Sequence, residues 1–142
     1  MCLLSVACGV NADYPFVFAG NRDEYHARAS AAADWWDDAP NLIGGRDLVA
    51  GGTWLGMHRD GRFAVVTNRP DLPAPEQDAL SRGDLVADWL LANRPSDSAA
   101  AMRQPIEKTM EQIRADSERY GGFSLLLGDV RPGSRQPLML TS

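Results

Sequence analysis

Apolar and polar positions break this chain into short segments before they settle into helical periodicity. Cys2-Leu3-Leu4-Ser5-Val6-Ala7-Cys8 is an apolar run of strand length. Asn11-Ala12-Asp13 is a polar break, and Pro15-Phe16-Val17-Phe18-Ala19-Gly20 is a second apolar run. Two short apolar runs about a turn-rich break predict a β-hairpin. With the turn centred on Asn11-Ala12-Asp13, antiparallel pairing sets Cys2 opposite Arg22, give or take one residue of register. The hairpin therefore carries the polar cluster Asn21-Arg22-Asp23-Glu24 to the chain's N-terminal thiol.

The next stretch is less regular. Tyr25-His26-Ala27-Arg28, an alanine run and Asp34-Trp35-Trp36-Asp37-Asp38 are interrupted by Pro40, Gly44 and Gly45, so residues 25–50 read as mostly loop with short extended pieces. The Trp35-Trp36 pair fits either a cleft wall or a satellite cluster pinning a long loop, the second preferred. A second hairpin follows. Thr53-Trp54-Leu55-Gly56-Met57-His58 pairs with Arg62-Phe63-Ala64-Val65-Val66-Thr67-Asn68 about the turn Arg59-Asp60-Gly61. That register sets Asn68 beside Gly51-Gly52, where glycines permit close approach by a ligand or another strand. A connector with Pro70, Pro73 and Pro75 leads to a helix running to about Asn93, with Ser81 as N-cap and Asp84 in the first turn. Leu85, Val86, Trp89 and Leu90 form its apolar stripe. A second helical region opens near Ser96-Asp97-Ser98 and restarts at Pro105, burying Ile106, Met110 and Ile113. It ends at Tyr120-Gly121-Gly122. Phe123–Asp129 reads as a central strand, Arg131-Pro132-Gly133-Ser134 as a turn, and Pro137-Leu138-Met139-Leu140 as a further strand begun. Two hairpins followed by two helices and more strands predict an α+β layered fold.

Composition narrows the function classes. A chain of 142 residues suits one domain, 1–142. A net charge of −5 and a pI near 4.9 argue against general nucleic-acid binding, which needs a basic footprint. The two cysteines sit six residues apart on one predicted strand, about 20 Å, and cannot bridge each other there. A reduced, cytoplasmic setting fits that, and the first apolar run is too short for a secretory signal or a membrane span. His26 and His58 lack metal-ligand spacing, so no metal and no cofactor are expected.

Cys2 carries the candidate chemistry. Removal of Met1 before a small residue leaves a thiol and a free α-amine on one residue. An α-amine of pKa about 7.7–8.0 serves as a general base near neutral pH without a histidine, and a nucleophile paired with its own N-terminal amine is an established arrangement. The plain reading of Cys2 is a small hydrophobe opening a strand.

The combination of Met1-Cys2, Gly20-Asn21-Arg22-Asp23-Glu24 and Gly51-Gly52-Thr53-Trp54-Leu55-Gly56 resembles the NRDE family, that of the transport-and-Golgi-organisation protein. Thr67-Asn68 ending a strand and Arg82-Gly83-Asp84-Leu85 opening a helix come in the matching order. The match runs from Met1 to about Asp129. The family is similar in pattern to N-terminal-nucleophile (Ntn) hydrolases of the choloylglycine hydrolase and penicillin acylase kind. The resemblance implies an αββα sandwich, here incomplete, because family members are about twice this length and the chain stops in an apparent strand. An uncovered sheet face or edge is then expected to drive homodimerisation or pairing with a complementing C-terminal half.

By the same resemblance, Cys2 attacks the carbonyl of a small-molecule amide or thioester and Asp23 orients the α-amine. Arg22 binds the thiolate or a substrate anion. Asn68 holds the oxyanion, although by its position alone it reads equally as a strand-ending turn residue. Asn21, Glu24, Gly52, Thr53 and Trp54 are supporting or substrate-binding candidates. Two other readings remain: a non-catalytic protein handling haem, lipid or acyl-coenzyme A, with Cys2 as an axial thiolate to haem iron, and an inactive fragment.

Overall fold

The computed structural model describes residues 2–72, 78–92, 103–131 and 138–141. Its fold is α+β. In order come β1 (Leu3–Cys8), β2 (Phe16–Asn21), β3 (Ser30–Trp36), β4 (Ala39–Asp47), β5 (Leu55–His58), β6 (Arg62–Asn68), α1 (Arg82–Leu91), α2 (Arg103–Ala115), β7 (Phe123–Asp129) and β8 (Leu138–Thr141). β1 and β2 form a separate antiparallel ribbon. The other six strands form one antiparallel sheet in the order β3-β4-β5-β6-β7-β8.

The first hairpin has the expected register. Leu3 pairs with Asn21 and Cys8 with Phe16, so one further step sets Cys2 opposite Arg22. Its turn is closed by the side chain that the pattern singled out: Asn11 Oδ1 accepts the N–H groups of Asp13 and Tyr14 at 2.8 and 3.2 Å. Such an Asx turn satisfies loop amides locally. The second hairpin also forms, although its first strand begins at Leu55 rather than Thr53. Gly61 takes a φ of 95° in the turn, and the Val66 N–H donates to Trp54 O at 2.8 Å, extending the pairing beyond the strand proper.

Residues 25–50 depart from expectation. They contain β3 and β4, a hairpin with bulges between Ala31 and Asp34 and between Trp35 and Trp36. An alanine-rich strand lacks the β-branched signature of strands, and Gly44-Gly45 reads as a break. Both glycines are strand residues placed by packing. A Cβ on Gly44 would lie 2.7 Å from Leu55 O, and one on Gly45 would lie 2.5 Å from the Trp54 ring. Trp36 is buried in the core, whereas Trp35 is exposed under the Arg59 guanidinium, 3.7 Å from the ring centroid.

Helix α1 lies across β4, β5 and β6. Leu85, Val86, Trp89 and Leu90 pack with Ala64 and Val66 of β6, Leu42 of β4, and Phe123, Leu125 and Leu127 of β7. Ile106 and Met110 of α2 complete this core, with Ile113 at its margin. Helix α2 starts two residues before Pro105, which sits in the first turn where its missing N–H has no intrahelical role. Ser81 occupies the N-cap position of α1 but its hydroxyl makes no cap bond; the Asp84 N–H goes to Ser81 O instead. Arg62, only 2% exposed, ties β6 to the far end of α1: its Nη1 donates to Trp89 O at 2.8 Å and Ala92 O at 3.0 Å.

On the opposite face of β6, Phe63 meets Phe16 of the ribbon with ring centroids 4.8 Å apart. The layers are thus helix, six-stranded sheet and ribbon. The outer side of the ribbon is uncovered, with Leu3 and Val17 exposed. Among the described residues, no helix is long and apolar enough to cross a membrane. The middle of the proline connector, the helical start near Ser96-Asp97-Ser98 and the turn after Arg131 lie outside the described residues.

Candidate functional site

A cleft of about 590 Å³ opens where the N-terminal end of the ribbon meets β6 and the start of α1, within the size range of small-molecule sites. It is lined by Cys2, Arg22, Asp23 and Glu24 from the ribbon end, by Thr53, Trp54 and Asn68 from the sheet, and by Ser81, Arg82 and Gly83 from the start of α1. Cys2 Sγ accepts a hydrogen bond from the Asp23 backbone N–H at 3.4 Å. The ribbon's register is the cause, since Cys2 and Asp23 lie just beyond the last pair, Leu3 with Asn21. Asn68 ends β6, paired with Phe123 of β7 on one side, while β5 on the other side has already ended, and it lines the cleft as an exposed residue.

Charges inside the cleft form an alternating chain. Arg22 Nη2 lies 3.4 Å from Glu24 Oε2, and its guanidinium covers the Trp54 ring at 4.3 Å. Glu24 Oε2 in turn faces Arg28 Nε at 3.9 Å, and Arg28 Nη2 pairs with Asp47 Oδ2 at 2.8 Å. Burial alone would push the Asp47 carboxyl up. The Arg28 hydrogen bond and the N–H groups of Val49 and Ala50 outweigh it and hold the group below its ordinary value. Arg82 differs from the other two arginines. Its Nη1 donates to Gly122 O at 3.1 Å, and among the described residues it has no carboxylate partner. Burial lowers its pKa, with the charges of Glu24 and Cys2 offsetting this and that of Arg28 adding to it.

Of the residues that the sequence singled out, Cys2, Arg22, Asp23, Glu24, Thr53, Trp54 and Asn68 come together here. Thr53 is 1% exposed, and its hydroxyl is occupied by Leu55 O at 2.9 Å, so it shapes the floor. Asn21 does not line the cleft: its Oδ1 accepts the Leu3 N–H at 2.9 Å and pins the start of β1. Gly52 is outside as well. It lies under α1, where a Cβ would stand 2.6 Å from the Gly83 carbonyl carbon. The close approach expected at this glycine is thus made by helix backbone rather than by a ligand. Trp35 and Trp36 also lie away from the cleft. Arg28, Asp47 and Arg82 were not foreseen as site residues. The first two are joined only by the β3–β4 hairpin that the pattern concealed. Arg82 had a legible signal, its place in Arg82-Gly83-Asp84-Leu85, which opens a helix at the level of the cluster. Among the described residues, no three His, Cys, Asp or Glu side chains gather as a metal site would need.

Comparison with known proteins gives this arrangement a lineage. The chain is 32% identical over 120 residues to a transport and Golgi organization 2 homolog of Mus musculus, covering 82% of this chain and 40% of that protein. It is 30% identical over 142 residues to the Bos taurus homolog, covering 89% and 48%. It is 33% identical over 128 residues to the Drosophila melanogaster protein, covering 86% and 42%. The chain thus spans under half the length of these curated relatives. A family model described as transport and Golgi organisation 2 matches residues 1–142. With the motifs at Cys2, Asn21–Glu24, Gly51–Gly56 and Asn68 all inside the matched span, the chain belongs to the transport and Golgi organisation 2 family.

Proposed function

We propose that the cleft is the site of an N-terminal-nucleophile hydrolase acting on a nonpeptide amide or thioester. The observation that carries the reading is the Cys2 sulfur at the cleft wall, held by the Asp23 N–H at 3.4 Å. The main-chain donor holds the sulfur in one orientation at the cleft wall. With Met1 removed, the α-amine of Cys2 takes the thiol proton as sulfur attacks the substrate carbonyl carbon. The S–C bond forms and the oxygen takes negative charge. Collapse then breaks the C–N or C–S bond, and the amine returns its proton to the leaving group. Water, deprotonated by the same amine, cleaves the acyl-cysteine and restores the thiol.

Asn68 stands at the cleft edge, where its amide NH₂ serves as oxyanion donor; such a donor is worth on the order of 10²–10³ in rate. Asp23 orients the α-amine. Arg22, covering Trp54 and paired with Glu24, presents a guanidinium to a thiolate or substrate anion. The axial-thiolate reading for haem has less support: Trp35 and Trp36, its apolar wall, lie elsewhere, and charged side chains crowd the cleft.

Intact mass before and after brief exposure to a thiol-directed probe, with the labelled residue mapped, tests the proposal. The expected result is loss of Met1 and labelling of Cys2 well ahead of Cys8 near neutral pH. Retained Met1, or slow and equal labelling of the two cysteines, would overturn it.

A further inference from the structure

The α1 side of the cleft holds a feature that hydrolysis itself does not use. Arg82 is half-buried at the start of α1, and its guanidinium reaches the Gly121–Gly122 turn, where it donates to Gly122 O. Arg22 and Arg28 are each matched by a carboxylate, Glu24 and Asp47 respectively. Arg82 makes no ion pair among the described residues, and Glu24, already shared by Arg22 and Arg28, reaches it only at longer range. A guanidinium stays charged at any pH a protein tolerates and carries five N–H donors, so a half-buried one with a single carbonyl acceptor has donors left for an anion. The Arg82 side chain lines the same cleft as Cys2. Gly83 cannot become larger without cost, since a Cβ there would lie 3.2 Å from both Thr53 N and Thr53 O. The helix start, and with it the Arg82 backbone, is therefore held close against the sheet.

We propose that Arg82 is a specificity-determining residue that selects substrates bearing an anionic group, of carboxylate or phosphate type, for attack by Cys2. The inference rests on the hydrolase reading above and names its substrate class. A substrate lying across the cleft presents its carbonyl to the ribbon wall and its anion to the α1 wall. Planar, bidentate recognition is what a guanidinium supplies and an ammonium does not.

The test compares two thiosulfonate probes of equal length on the full chain, one ending in a sulfonate and one in a trimethylammonium. The ratio of their labelling rates at Cys2 is divided by the same ratio at Cys8, which lies outside the cleft. The normalised ratio is expected to favour the anionic probe, and Arg82→Gln is expected to cut it by about tenfold, the scale of local potentials in charged clefts. Arg82→Lys, which keeps the charge but not the planar fork, should fall between the parent and Arg82→Gln. Arg59→Gln, altering an arginine stacked on Trp35 away from the cleft, should leave it unchanged. On the unmodified protein, at fixed ionic strength, acetate and inorganic phosphate are added as competitors. Slowing of the anionic probe by both or by one identifies the anion type, and slowing by neither overturns the inference even if Arg82→Gln fails to fold. A Cys2 that neither probe labels overturns the hydrolase reading together with this one. A Cys2 that is labelled rapidly, but with the charge ratio of Cys8 or with one indifferent to Arg82, overturns this inference alone.

Discussion

Replacing Arg62 by Met isolates what a single buried cation does for the helix that walls the cleft. The guanidinium is 2% exposed as a residue and donates to two carbonyls at the end of α1, Trp89 O and Ala92 O, at 2.8 and 3.0 Å. It also donates from Nε to Asp60 Oδ2 at 2.8 Å. Methionine keeps most of the apolar stem, so the loss is polar. Each desolvated carbonyl left without a donor costs about 1–3 kcal/mol. Asp60 keeps the Arg62 backbone N–H at 3.1 Å and His58 Nδ1 at 2.9 Å, so its share is smaller. The sum is roughly 3–5 kcal/mol, a large part of the 5–15 kcal/mol that holds a domain together. For a chain of this size that lowers Tm by roughly 10 °C or more. Urea unfolding followed by tryptophan fluorescence and far-ultraviolet circular dichroism measures it, with the midpoint falling at constant slope. Hydrogen exchange should quicken first in the last turn of α1. A Met variant within about 1 kcal/mol of the parent would refute the reasoning: apolar contacts alone would then join β6 to α1.

Two further outcomes are expected. Gly52→Ala places a Cβ 2.6 Å from the Gly83 carbonyl carbon and 2.8 Å from its oxygen; the backbone must shift, costing about 1–3 kcal/mol by urea melt, and the charge ratio of Cys2 labelling should fall with it. Asp47 and Asp60 have native pKa values below the ordinary carboxylate value. Their stabilisation is complete above an unfolded-state value of about 3.9 and is lost as pH falls through the depressed native values. Comparing urea midpoints at pH 5 and pH 3 should therefore show a loss that Asp47→Asn narrows, and an equal loss in parent and variant would count against it.

What the sequence made legible was whatever local pattern and turn chemistry determine. Asn11 closes the first hairpin through its own side chain, so the pairing of Cys2 with Arg22 follows from the turn and the two apolar runs. The Asp60-Gly61 turn and the stripe Leu85-Val86-Trp89-Leu90 are local signals of the same kind. The β3–β4 hairpin was hidden because its identity depends on tertiary partners. Gly44 and Gly45 look like breakers until Leu55 and Trp54 pack on them. Arg28 and Asp47 reach the cleft only through that hairpin. The covered face of Gly52 comes from the close seating of α1 on the sheet, which no window of neighbouring residues encodes.

The two walls of the cleft differ in how much of the chain must fold to build them. Cys2, Arg22 and Asp23 share one ribbon, and hairpins of that length close within microseconds. The facing wall exists only after α1 has docked on β4, β5 and β6, a step that pays for distant contacts in chain entropy. On these timescales the thiol and its amide donor, being local, are expected to meet before the α1 wall is built. If Cys2 and Arg82 act as proposed, a molecule in which α1 has transiently undocked would keep the thiol without the Arg82 wall, so discrimination should fade sooner than reactivity as denaturant is raised.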